Sequence, residues 1–142
     1  MSGSFLVDTN ILVYAYDRSE AIKQKRARDV LDWLELRHAG VLSTQILGEF
    51  FSVATRKLAK SFPFEQAYQA LEDYLRSWRT LPITRAIVLE AGRGCGRFQM
   101  SYWDAQIWAT AKMNQIPTVL SEDFQHDAQI EGVHFVNPFR ST

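Results

Sequence analysis

Two apolar runs, each ending on an acid, constrain this chain more than any other feature. "FLVD" at 5–8 and "TVLSED" at 118–123 lack the polar alternation of a half-exposed strand. They read instead as short strands buried on both faces, and such strands belong to parallel sheets covered by helices. Further strands are expected at Val41-Leu42 and "VHFV" (133–136), with a weak edge strand at "TLPIT" (80–84), where proline cannot donate to a ladder.

Helical spacing fills the intervals. Asn10 to Asp17 is apolar with helical character, and Ala27, Val30, Leu31 and Leu34 mark a helix over Ala21 to Arg37 that Gly40 ends. Ser43 or Thr44 caps a helix running to about Lys60, with Ile46, Leu47, Phe50, Val53 and Leu58 inward. Pro63 opens another, carrying Ala67, Ala70, Leu71, Tyr74 and Leu75. One more runs from Arg85 and stops near Gly92, Gly94 and Gly96. The last spans Ser101 to Asn114, before Pro117. This alternation predicts an α/β domain with a short, mostly parallel central sheet between two helical layers.

The chain of 142 residues is one domain's worth, expected over 5–139, with 1–4 a leader and 140–142 a tail. A lone Cys95 excludes an internal disulfide and serves as apolar filler, and no Cys/His grouping has zinc spacing. No apolar run approaches membrane-spanning length and no secretory leader is evident, so a cytoplasmic location is expected. The 16 basic and 16 acidic side chains cancel, so global charge does not advertise a polyanionic partner. Local basic groups do occur: Lys23, Lys25, Arg26 and Arg28; Arg56, Lys57 and Lys60; and Arg93 with Arg97. They read as solvated helix faces unless they ring a site that handles phosphates.

Four acids stand out. In a parallel sheet, sites form beyond the carboxyl ends of the strands, and Asp8 and Asp123 follow two such ends. Each also has a plain structural reading, as a turn residue or helix cap. Glu49, in "QILGEFFSV", has no cation three or four places away, and a favourable helix dipole is its plain reading. Asp104, in "SYWDAQIWATA", sits on an apolar stripe, or is N3 of a helix capped by Ser101. Brought together, four carboxylates would repel until one took up a proton or a cation intervened. Oxygen-only ligands select a hard ion, Mg²⁺ or Mn²⁺. His38, His126 and His134 have no evident partner and read as structural or exposed.

"FLVDTNILVYAYD", "STQILGEFF", "SYWDAQIWATA" and "VLSEDFQHDAQIEGVHFVNPF", in this order, resemble a PIN domain, and more closely the VapC-type toxins of bacterial toxin–antitoxin pairs. The resemblance covers Phe5 to Phe139. It implies a PIN-like three-layer fold and a Mg²⁺-dependent endoribonuclease whose acidic quartet is Asp8, Glu49, Asp104 and Asp123. Asn10 and Ser121 match the supporting polar residues of the family, and Thr9 is placed to help hold Asp8. The first three acids would be the principal ligands, with Asp123 binding a second ion or orienting water. Asp127 departs from the pattern, because similar sequences often carry glycine there, and this leaves open which acid closes the site. "GRGCGRFQM" resembles a variable loop beside the substrate groove.

The chemistry implied is in-line displacement at phosphorus, leaving a 5′-phosphate and a 3′-hydroxyl on tRNA, rRNA or mRNA. One or two ions would activate water and clamp the charged oxygens. Arg56, Lys57, Arg93 and Arg97 are candidates for holding the RNA backbone. The resemblance further implies a homodimer and a cognate antitoxin that lays an apolar segment into a groove and a basic side chain into the acidic pocket. Two rivals remain. A haloacid dehalogenase-like phosphatase also places an aspartate after its first strand, but needs a second acid where this chain has Asn10. An inert PIN-like interaction module would keep the acids only as caps.

Overall fold

A computed structural model describes residues 3–140. The expected leader (1–4) and tail (140–142) therefore fall partly outside the described residues. Six strands form one sheet in the order β3-β2-β1-β4-β6-β5. The runs "FLV" and "TVL" become β1 (Phe5–Val7) and β4 (Thr118–Leu120), paired in parallel at the centre through Phe5–Thr118, Leu6–Val119 and Val7–Leu120. β2 (Gly40–Ser43) and β3 (Arg79–Leu81) extend the sheet from β1, while β6 (Val133–Val136) extends it from β4. All these pairings are parallel. The strand order thus reverses direction between β1 and β4, which is where a parallel sheet opens a crevice at its carboxyl edge.

Helices α1 (Thr9–Tyr14) and α2 (Ala21–Leu36) connect β1 to β2, and α3 (Thr44–Lys57) and α4 (Phe64–Ser77) connect β2 to β3. The crossover back to β4 is made by α5 (Arg85–Phe98) and α6 (Tyr102–Met113). Right-handed crossovers that run in opposite directions put these two groups on opposite faces. The core is apolar and continuous: Leu6, Ile11, Leu42, Ile46, Phe50, Trp108 and Phe135 are at most 1% exposed. Among the described residues no helix is long and apolar enough to cross a membrane.

Several expectations need correction. Gly40 does not end α2. His38 does, in the left-handed region at φ 51°, with Ala39 N–H donating to Leu34 O and His38 N–H to Glu35 O. Gly40 already belongs to β2, where a Cβ would sit 2.0 Å from the Trp78 ring. Leu75 points outward at 53% exposed, although Ala67, Ala70 and Tyr74 of the same helix are buried.

The glycine cluster is not a loop either. α5 runs through Gly92, Gly94 and Gly96 and stops at Gln99, φ 59°. Gly94 is required by packing, because a Cβ there would meet the Trp108 ring at 2.7 Å. One strand was not foreseen: β5 (Gln129–Ile130) folds back antiparallel on β6 through Glu131 and Gly132. Both turn residues have positive φ (47° and 87°), as a two-residue hairpin of the I′ kind demands.

Candidate active site

The crevice between β1 and β4 receives all four acids singled out by sequence. Asp8, Glu49, Asp104 and Asp123 line one groove of about 770 Å³, with Asn10, Gln45, Lys57 and Trp103 on its walls. Asp8 leaves β1, Asp123 follows β4, Glu49 lies in the second turn of α3, and Asp104 lies in the first turn of α6. The plain structural readings hold at the same time for two of them. Asp8 is the N-cap of α1, and Asp104 is N3 behind Ser101, whose Oγ accepts from the Asp104 N–H.

Asp8 is the one acid sunk into the protein, 4% exposed. Its Oδ1 accepts from the Thr9 N–H at 2.7 Å, and its Oδ2 accepts from the Ser121 hydroxyl at 2.7 Å. Thr9 thus supports Asp8 through its backbone, while its own hydroxyl reaches Ile46 O at 3.3 Å and ties α1 to α3. Asn10 is fixed by the Glu122 N–H, which donates to its Oδ1 at 3.3 Å. That turns Nδ2 inward, 3.1 Å from Asp123 Oδ2 and within 3.5 Å of both Asp8 Oδ2 and Ser121 Oγ. Ser121 Oγ also accepts the Asp123 N–H at 3.1 Å. Asn10 and Ser121 therefore splice the ends of β1 and β4 into one polar cradle.

Burial raises the Asp8 carboxyl to about 6, with smaller contributions from the charges of Asp123 and Glu49, against the lowering pull of Ser121 and Thr9. Asp104 is also raised, first by burial and then by Asp123. Six carboxylates line the groove (Asp8, Asp17, Glu20, Glu49, Asp104, Asp123) against a single lysine, Lys57. Among the described residues no three His, Cys, Asp or Glu side chains stand close enough together to hold a metal ion as placed. The acids share a groove wall rather than a preformed cage. The donor chemistry nonetheless fits a hard divalent cation: every candidate ligand is oxygen, and the most buried of them carries a charge that no protein cation offsets.

The remaining expected residues separate by place. Lys57 lines the groove. Arg56 and Arg97 are exposed and do not line it, and Arg93 is held by Glu90 and Glu131 in a network with Lys112. The first basic group is structural: Lys23 pairs with Glu122, Lys25 with Asp29, Arg26 donates to Pro138 O, and Arg28 to Ala15 O. Asp127 lies outside the groove lining. It sits at φ 66°, which accounts for a glycine preference at this position, and it contacts His134 at 3.0 Å and His126 at 3.4 Å.

Sequence reasoning gave no role to Trp103, 62% exposed on the groove wall beside Asp104, or to Gln45, four residues before Glu49. The only signal for Gln45 was the missing cation near Glu49.

A family model for the PIN domain matches residues 5–129. No curated protein matches the chain. Among solved structures, a toxin–antitoxin complex from Klebsiella pneumoniae superposes with a TM-score of 0.70 at 19% identity, covering 97% of this chain and 100% of that one. VapC20 of Mycobacterium tuberculosis, described as a sarcin-ricin loop cleaving toxin, gives 0.67 at 19% identity over 82% and 87%. VapBC2 of Rickettsia felis, bound to a DNA fragment from its promoter, gives 0.66 at 17% over 92% and 96%. At these identities the likeness is one of fold.

Proposed function

The chain belongs to the PIN domain family, and on that premise we propose that it is a Mg²⁺-dependent endoribonuclease, the toxin of a toxin–antitoxin pair. One observation carries this reading: four carboxylates from four separate elements face a single groove, and the most buried has no cationic side chain to offset it. Mg²⁺, with Mn²⁺ as substitute, would be held by Asp8, Glu49, Asp104 and Asp123. Bound there, it would supply a water activated at neutral pH and relieve the phosphodiester of its charge.

The chain's own residues do the rest. Ser121 and the Thr9 N–H fix the Asp8 carboxylate, and Asn10 holds Asp123 beside it. Lys57, at the rim, meets a backbone phosphate, and the exposed indole of Trp103 offers a platform for an unpaired base next to the cut. An acidic groove repels RNA, so substrate binding requires the cation.

The phosphatase alternative fares poorly. Asn10 is locked by hydrogen bonds at both ends of its amide and has no proton to give a leaving group. The reading extends to a cytoplasmic location, a homodimer and a cognate antitoxin that covers the acidic groove. Incubation of tRNA and rRNA pools with Mg²⁺, Mn²⁺ or chelator, followed by mapping of the cut ends, tests it. Cation-dependent cuts with 5′-phosphate ends are expected. A trapped aspartyl-phosphate, or RNA left intact in every cation, overturns it.

A further inference from the structure

Gln45 lies where the two helical layers meet at the groove. Its Nε2 donates to Glu49 Oε1 at 2.6 Å and lies 3.3 Å from the carbonyl oxygen of Trp103, the residue before Asp104. Its Oε1 accepts from Gln106 Nε2 at 2.8 Å. Gln106 is 5% exposed, and its own Oε1 accepts from the Tyr102 hydroxyl at 2.7 Å.

The direction of this chain is not arbitrary. An ionised Glu49 offers only acceptors, so Gln45 must turn its NH₂ group toward it. The Gln45 oxygen then faces Gln106, which must donate in turn. The remaining Gln106 oxygen requires a donor, and the Tyr102 hydroxyl is one. Three side chains are thus oriented by the charge at one end.

We propose that Gln45 and Gln106 are positioning residues for the metal site: they fix Glu49 on α3 relative to Asp104 on α6 before any ion arrives. The proposal rests on the nuclease reading above and deepens it. Glu49 is exposed, and an unrestrained glutamate loses rotamer freedom when it becomes a ligand. A donor clamped at its far end removes that freedom in the folded protein. An amide also does what lysine or arginine could not, since it holds the carboxylate without neutralising it and leaves its full charge for a cation. The second contact of Gln45, to Trp103 O, anchors the same amide to the turn that carries Asp104.

The test is Mn²⁺ binding by calorimetry on the intact chain, with steady-state cleavage beside it. Gln45→Met keeps the volume and removes the donor; the Mn²⁺ dissociation constant should rise about tenfold or more. Gln106→Met should cost several-fold, and Tyr102→Phe, the mildest change, about twofold. The double variant Gln45→Met/Gln106→Met should bind no more weakly than Gln45→Met alone, because the residues act in series. For all of them kcat/KM for RNA should fall at limiting Mn²⁺ and recover at saturating Mn²⁺, with melting curves showing an intact fold. Variants that bind Mn²⁺ as the parent does overturn the positioning role and leave the nuclease reading standing. A parent chain that binds no Mn²⁺ overturns both.

Discussion

Ser121 gives its single hydroxyl proton to Asp8, 113 residues earlier in the chain, at 2.7 Å. The bond favours the charged carboxylate in a place where burial opposes it, and burial prevails: Asp8 rises from 3.8 to about 6. The folded chain therefore holds this proton more tightly than the unfolded one. The stability it contributes is complete below pH 3.8 and is lost as pH rises through about 6. Across that window the metal-free protein should lose roughly 3 kcal/mol from this group. Ser121→Ala should widen the loss, costing about 2 kcal/mol at pH 7 and less at pH 4. Denaturant titrations at the two pH values measure it.

A bound cation should reverse that trend. Saturating Mn²⁺ at a hundred times its dissociation constant should stabilise the native chain by about 2.7 kcal/mol at pH 7. The gain should fade below pH 6, where protons compete for Asp8. Asp8→Asn should keep the fold, remove both the Mn²⁺ shift and RNA cleavage, and flatten the pH dependence. Thermal melts with and without the ion decide the matter.

The three glycines of α5 should respond oppositely to alanine. Gly94→Ala forces a methyl against Trp108 and should cost roughly 1–3 kcal/mol. Gly92 and Gly96 are exposed, with nothing within 4 Å of an added Cβ. Alanine at either should stabilise by about 0.5–1 kcal/mol, the ordinary gain for a helix interior. Chemical denaturation of the three variants reads the difference.

Two basic residues that look alike in the sequence should part company in RNA binding. Lys57→Ala, at the groove rim, should raise KM several-fold and reduce the salt dependence of binding. Arg93→Ala should leave KM unchanged, because that side chain is committed to Glu90 and Glu131. Cleavage kinetics across a salt series distinguish them.

Trp103→Ala should weaken binding of a single-stranded oligoribonucleotide roughly tenfold, within the ordinary range for loss of one stacked base. Trp103→Phe should recover most of it. Fluorescence anisotropy with chelated metal replaced by Ca²⁺ reads binding without turnover.

Much of this arrangement was legible from the chain. Apolar runs at 5–7 and 118–120 had no polar alternation, so they had to be central strands, and the acids at their ends had to lie on one edge. The helix caps Ser43 and Ser101 could be read or nearly so, because a hydroxyl before an apolar run has few other uses, whereas Thr84, the cap of α5, was not foreseen. The residues that end the helices could not, although α2 and α6 stop within one residue of the expected Arg37 and Asn114. α2, α5 and α6 finish at or just before His38, Gln99 and Gln115, each left-handed without being glycine. The glycines nearby serve packing instead, as Gly40 under Trp78 and Gly94 under Trp108 show, and that demand comes from residues distant in sequence. The same limit hid Gln45, whose importance lies in what Gln106 and Trp103 do to its amide from another helix.

The pairing of β1 with β4 has a temporal consequence. Asp8 leaves the ribosome early, but its N–H finds Leu120 O and its carboxylate finds Ser121 only once more than a hundred further residues have been made. Until then the groove lacks Asp123 and one wall, and Asp8 lacks its hydroxyl partner. On the nuclease reading, a translation product cut short anywhere before β4 should cleave no RNA, so activity should appear only with nearly full-length synthesis.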